Sequence, residues 1–274
     1  MSTPAAQWGD QIATEVIHGV PYRVYVQRPH RVEELLDHAD RWGARPHLIQ
    51  GDRTFTFSDL RAAVANKVAE LQAAGAGPGD RVFLLGWNGP EWVVNFWACL
   101  KAGAIPVLAN TWWSETELAN GLAALQPALT LADAAATAKM PAASRRGPWA
   151  ISLAPPANGV PAAEGATQDD EEQTALIIFT SGTSGQPKAV VLSHRAVLAR
   201  LQMTLHVTRK LPHQVDALAH DVTLLTGPLF HVGTMQALLR AVIVGDTLVL
   251  TEGRYDPAQV LDLIERHRVN RWNA

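Results

Sequence analysis

Apolar residues recur along this chain in two alternating rhythms. Leu60, Val64, Val68 and Leu71 lie on one stripe of a helix, with Ser58 as a ready N-cap before them. Gly75 ends that helix, and Gly77-Pro78-Gly79-Asp80 turns the chain. Upstream, Leu48–Gln50 and Thr54–Phe57 flank Gly51-Asp52-Arg53 and predict a short hairpin. The apolar runs Arg81–Trp87, Ala104–Ala109 and Ala128–Ala132 predict buried strands. Between the first two, Pro90 opens a helix over Glu91–Ala102 that is apolar on nearly every face and stops at Gly103. Such a helix belongs inside a layered protein. Ser114 and Glu117 form a capping box for a helix to about Leu125.

From Ala134 to Gln168 the texture changes to Ala, Pro and Gly, with Trp149–Leu153 as one short strand candidate and Ala154–Gln168 as an exposed linker or long loop. Asp169-Asp170-Glu171-Glu172 reads as a solvated flank rather than a metal site. Alternation then resumes. Strands are predicted at Ala175–Phe179, Ala189–Leu192, Val222–Thr226 and Thr247–Leu250. Helices are predicted at Arg195–Leu205, Gly233–Val244 and from Asp256-Pro257 to about Arg266, and Val269–Trp272 starts another strand. This is the pattern of an α/β fold with helices on the faces of its sheets. The expected division is an N-terminal extension (1–30), a first α/β lobe with a loop-rich end (31–168), and a loop-bearing segment with an incomplete second α/β lobe (169–274).

Composition narrows the function classes. Hydrophobic residues make up 47% and charged residues 18% of the 274, so a packed core is available and global disorder is excluded. Lys and Arg number 23 against 26 Asp and Glu, a formal charge of −3, which speaks against a nucleic-acid binder or a polybasic membrane anchor. The single cysteine, Cys99, excludes an internal disulfide and a multi-cysteine zinc site, and its apolar neighbours make it a packing residue. No secretory signal opens the sequence, and the most apolar stretch, Val82–Ala109, is too interrupted to span a bilayer, so the cytoplasm is expected.

One segment carries chemistry. Leu176-Ile177-Ile178-Phe179 delivers Thr180, Ser181, Gly182, Thr183, Ser184 and Gly185, followed by Gln186, Pro187, Lys188 and the apolar run Ala189-Val190-Val191-Leu192. Four hydroxyls, two glycines that let backbone N–H groups approach an anion, and a lysine suit a triphosphate. A Walker A loop needs lysine directly after its second glycine and a helix next, so that pattern is excluded. A flexible Ser/Gly linker would not be bracketed by two such apolar runs.

The segment resembles the phosphate loop of the adenylate-forming superfamily, which includes acyl-CoA synthetases. Phe57-Ser58-Asp59-Leu60, Gly79-Asp80-Arg81-Val82, Lys101-Ala102-Gly103-Ala104-Ile105-Pro106-Val107 and Pro228-Leu229-Phe230-His231-Val232-Gly233 resemble further motifs of that superfamily in the same order. The resemblance runs from about residue 30 onward and implies the N-terminal part of the superfamily's large domain, stacked α/β sheets flanked by helices, ending within its second lobe. Two local departures are Ala189, where a glycine is usual, and Thr234, at a position often smaller, which could narrow an acyl pocket. The Tyr-Gly-x-Thr-Glu type motif, the ribose-binding aspartate and the C-terminal catalytic lysine are not in this sequence.

The resemblance implies an ATP-dependent acyl-CoA synthetase using ATP, Mg2+ and coenzyme A. A fatty or related hydrophobic carboxylic acid attacks the α-phosphate of ATP, and the acyl-adenylate passes to coenzyme A. Thr180, Ser181, Gly182, Thr183, Ser184, Gly185 and Lys188 would hold the β- and γ-phosphates, and no residue is assigned to a metal. His231 would lie near the carboxylate or gate the acyl pocket; the competing reading is a hydrogen-bonded loop histidine. His194 is expected to orient loop backbone, and Trp92, Trp97, Trp112 and Trp113 to pack in the core. The chain by itself is expected not to complete the reaction. The alternative is a non-catalytic nucleotide-binding or scaffold half of a split enzyme, pairing with a complementing C-terminal fragment. An uncovered sheet edge over residues 222–274 would favour self-association.

Overall fold

The computed structural model describes residues 7–154, 170–180 and 187–273. In chain order the strands are β1 (Ile12–Ile17), β2 (Val20–Tyr25), β3 (Pro46–Gln50), β4 (Arg53–Thr56), β5 (Arg81–Leu85), β6 (Ile105–Leu108), β7 (Leu129–Ala132), β8 (Arg146–Gly147), β9 (Thr174–Thr180), β10 (Lys188–Ser193), β11 (Val222–Leu225), β12 (Thr247–Leu250) and β13 (Arg271–Asn273). The α-helices are α1 (Phe57–Ala73), α2 (Pro90–Lys101), α3 (Glu115–Leu125), α4 (Ala134–Thr137), α5 (His194–Val207), α6 (Val232–Val244) and α7 (Pro257–His267), and a 3-10 helix covers Val32–Arg41.

The strands sort into two larger sheets, ordered β10-β9-β6-β5-β7-β8 and β13-β11-β12-β3-β4. Pairing is parallel except for β9 with β10 and β3 with β4, so the strand C-termini of each sheet share an edge. Five layers result. The 3-10 helix, α1, α2, α5 and α6 lie between the sheets and share the main core. On the outer faces, α3 and α4 cover Phe83, Val107 and Ile177 of the first sheet, while α7 covers Leu224 and Val249 of the second. The largely apolar α2 is buried with Trp92, Phe96 and Trp97 fully enclosed, as its sequence requires. Among the described residues no helix is long and apolar enough to cross a membrane.

Several expectations need correction. The sheets do not follow the division into 31–168 and 169–274. β3 and β4 belong with β11–β13, whereas β9 and β10 complete the first sheet, so each sheet is assembled from both ends of the chain. The span 1–30 is more than an extension, because β1 and β2 form a hairpin. Its turn, His18-Gly19, takes positive φ at both residues (+49° and +78°), a turn chemistry usually flagged by Asn-Gly. Helix α1 is capped by Thr56, not Ser58, through a reciprocal box with Asp59.

Residues 148–154 are not a strand. Their carbonyls are taken by side chains instead: Lys67 Nζ donates to Pro148 O (3.1 Å) and Ala150 O, Asn95 Nδ2 to Trp149 O (2.9 Å), and Asn66 Nδ2 to Ala154 O (2.6 Å). The acidic run is only partly solvated. Glu171 is buried between Arg28 (2.7 Å) and Arg195. Most of the expected linker 154–168 lies outside the described residues.

Candidate functional site

Strand β9 runs through the first sheet parallel to β6, with Val107 opposite Ile177 and Leu108 opposite Ile178. It therefore delivers Thr180 at the edge where β5 and β6 also end. The chain returns antiparallel along β10, and Lys188 is the Cα partner of Thr180. Of the expected phosphate-loop residues, Ser181, Gly182, Thr183, Ser184 and Gly185 lie outside the described residues; Thr180 and Lys188 are described. Both are exposed, and Lys188 has no ion-pair or hydrogen-bond partner among the described residues. Strand pairing thus sets the Lys188 ammonium, unpartnered among the described residues, at the exposed end of the first sheet. Ala189 sits in extended, exposed backbone opposite Phe179, so its methyl group costs nothing sterically.

The second sheet contributes Thr226–His231, which follow β11. His231 is the N-cap of α6, but its side chain makes no capping bond. Its backbone N–H donates to Pro228 O (3.0 Å), and its ring lies against Phe230, with centroids 4.8 Å apart. The reading of His231 as a hydrogen-bonded loop histidine finds no side-chain bond among the described residues. Thr234 is buried, and its Oγ1 lies 2.7 Å from where a Cβ on Gly227 would stand. It therefore packs under the Gly227 backbone.

Two features that the sequence did not announce join these edges. Asn88, just after β5, accepts from Leu229 N–H with Oδ1 (2.8 Å) and donates from Nδ2 to Gly227 O (2.8 Å). Its own carbonyl accepts from Gln50 Nε2 (2.8 Å), and Gln50 is in turn held by Arg53 (2.9 Å). Asn88 thus pins the His231 segment to the first sheet. An asparagine two residues before a helix-opening proline usually signals only a turn, so nothing in the sequence distinguished it.

The second feature is a row of rings. Trp112 is 53% exposed, lies edge-on to Trp87 (6.3 Å) and meets Phe230 (5.5 Å), which leads to His231. Its neighbour Trp113 turns the other way, is buried, and packs edge-on to Phe179 (4.6 Å), next to Thr180. Trp92, Trp97 and Trp113 are core residues as expected, but Trp112 is not. Two adjacent tryptophans just past a strand end point to opposite sides, which was the available signal.

Other polar groups have structural partners. His194 is buried, and its Nδ1 accepts from the Val32 N–H (3.0 Å), so it anchors the 3-10 helix rather than the loop backbone. Burial pushes its pKa down to about 4, which keeps it a neutral acceptor. Burial likewise raises the Cys99 thiol well above its usual range, leaving it inert. Among the described residues no group of three or more His, Cys, Asp or Glu side chains could hold a metal ion. A groove of about 780 Å3 lies between the β1–β2 hairpin and α5, at the end of β10 remote from Lys188.

The pattern of a family described as AMP-binding enzyme matches residues 35–274. A feruloyl-CoA synthase from Amycolatopsis is 30% identical over 228 residues, covering 80% of this chain and 43% of that protein. A 2-succinylbenzoate–CoA ligase from Bacillus pumilus is 31% identical over 233 residues, covering 82% of this chain and 44% of that protein. Among solved structures, an O-succinylbenzoate coenzyme A synthetase from Bacillus subtilis in complex with AMP superimposes with a TM-score of 0.71 at 26% identity, over 90% of this chain and 61% of that one. The chain thus spans less than half the length of these curated relatives.

Proposed function

The chain belongs to the AMP-binding enzyme family, and from that premise we propose that it supplies the nucleotide-holding part of an ATP-dependent acid–thiol ligase of the cytoplasm. The reaction joins a hydrophobic carboxylic acid to coenzyme A through an acyl-adenylate. The observation that carries this reading is the Thr180–Lys188 pairing, which brings the two ends of a hydroxyl- and glycine-rich sequence together at the strand C-termini, with a lysine that has no ion-pair or hydrogen-bond partner among the described residues.

In the first step an oxygen of the carboxylate attacks the α-phosphorus of ATP. The bond from that phosphorus to the bridging oxygen breaks, and pyrophosphate leaves. Loop hydroxyls and amides from Thr180 to Gly185 hold the β- and γ-phosphates, and the Lys188 ammonium balances charge that accumulates on the leaving group. In the second step a thiolate sulfur attacks the acyl carbon and AMP departs. His231, whose ring makes no hydrogen bond among the described residues, faces the carboxylate end of the acid. Trp112 and Phe230 form an apolar wall that suits an acid with a flat or extended hydrocarbon body. Among the described residues no group of three or more His, Cys, Asp or Glu side chains could hold an ion, so no residue of this part is assigned to magnesium, which would arrive with ATP and balance phosphate charge. Completion of both steps is proposed as the joint property of this part and a C-terminal portion.

Calorimetric titration of ATP into the chain tests the reading. Saturable binding that falls at least about tenfold in Lys188→Ala is expected, the size of one charge-assisted contact. Equal affinity in the two proteins would remove Lys188 and its loop from the account.

A further inference from the structure

A second polar cavity, of about 220 Å3, opens in the middle layer beside β13, and its lining comes from four elements. Thr223 of β11 and Arg271 of β13 are Cα partners, so their side chains leave the same face of the sheet. Arg240 and Gln236 come from α6, and Arg200 from α5.

Three polar atoms in this lining are buried without a hydrogen-bond partner: Thr223 Oγ1, Arg240 Nε and Gln236 Oε1. Thr223 is only 3% exposed and Arg240 only 6%. Buried polar atoms without partners are costly unless something fills the space between them. The charges point to what that is. Arg240 pairs with Asp246 and lies 3.7 Å from Asp221, which is also 3.6 Å from Arg271. Asp246 is fully engaged, with its other oxygen accepting from Asp221 N–H (3.0 Å). The Arg200 guanidinium has no partner among the described residues, so three arginines face two carboxylates and one positive charge is left over.

We propose that this cavity is a binding site for a phosphate-class oxyanion, separate from the loop that Lys188 closes. Water would fill the cavity, whereas an anion would in addition meet the positive charge that the exposed Arg200 and Arg271 carry at its rim. A carboxylate is planar and would meet donors on one side, whereas Thr223, Arg240, Arg200 and Arg271 approach from four elements, as a tetrahedral anion requires. Gln236 Nε2 donates to Val197 O (3.2 Å), which fixes the amide and leaves Oε1 facing the cavity as an acceptor for a protonated oxygen of the anion.

The test is titration of inorganic phosphate, and in parallel acetate, into the 15N-labelled chain while following the Arg240 Nε–H resonance. It is run in the unaltered protein and in Lys188→Ala, so that anion captured by the loop is separated from anion in the cavity. The expected result is a saturable phosphate-dependent shift that persists in Lys188→Ala. It should weaken about tenfold in Arg200→Gln and in Thr223→Val, and acetate should bind more weakly. Arg200 is exposed and unpaired, so its variant retains the fold, and Thr223→Val preserves shape while removing the hydroxyl. The proposal is overturned if phosphate leaves Arg240 Nε–H unmoved, if Arg200→Gln binds as tightly as the unaltered chain, or if acetate matches phosphate.

Discussion

Thr180 and Lys188 are direct partners across the β9–β10 ladder, so the residues between them begin and end at one point on the sheet edge. Backbone pairing holds this closure, and the Lys188 side chain makes no hydrogen bond or ion pair among the described residues. Replacing Lys188 with alanine should therefore leave stability almost unchanged, within about 0.5 kcal/mol, as at other exposed sites. Chemical denaturation measures this, and a much larger loss would mean that the ammonium has a structural partner.

Asn88 joins two sheets with two side-chain hydrogen bonds of 2.8 Å each. Asn88→Ala should destabilise the chain by about 2 kcal/mol, roughly 1 kcal/mol per bond. It should also shift the His231 ring resonances, since Leu229 and Gly227 position that residue. Asn88→Asp keeps the acceptor for Leu229 N–H but sets a carboxylate oxygen against Gly227 O, so it should destabilise at least as much as Asn88→Ala. Unmoved His231 signals in Asn88→Ala would show that the clamp does not set the histidine.

Lys67 is almost fully buried, and its ammonium ties α1 to the carbonyls of Pro148 and Ala150 as well as to Glu70. Lys67→Met keeps most of the side-chain volume and removes the donors. A loss of about 2 kcal/mol is expected, together with faster proteolysis across residues 148–154. Unchanged cleavage there would contradict the role given to the lysine.

His47 and His194 are both held neutral by burial, with pKa values pushed from 6.5 to about 4. Unfolding frees them to take up protons at any pH between those limits. The unfolded state then binds more protons, so stability rises with pH. It should fall as pH drops from about 6.5 towards 4 and be nearly flat from these groups above 7. Unfolding midpoints measured across this range check the slope. His194→Gln keeps an acceptor near the Val32 N–H and should flatten the curve. A curve unaltered by that variant would mean that His194 titrates normally.

Local signals carried the layered α/β architecture well. The stripe of α1, the largely apolar α2 and the Ser114–Glu117 box each encode an element within a dozen residues, and the structure has them. Long-range assembly was not legible. Nothing in Leu48 or Ile49 states that they pair with Leu248 and Val249, some two hundred residues away, because a buried parallel strand looks alike in either sheet. Glu171 was misread for a related reason, as its burial depends on Arg28, from the other end of the chain. At the candidate site, Thr180, Lys188 and His231 stood out because their residue types break an apolar context. Asn88 acts by reaching the segment after β11, which no neighbouring residue reveals, and for Trp112 the adjoining Trp113 was the one local signal.

The central claim is that the bend between β9 and β10 holds the phosphates of a nucleotide. Backbone amide spectra of the 15N-labelled chain, recorded with increasing ATP, test it most directly. The account predicts that the largest shifts fall at residues 180–188, with smaller ones at His231. Saturable ATP binding whose shifts lie elsewhere, leaving 180–188 in place, would contradict it.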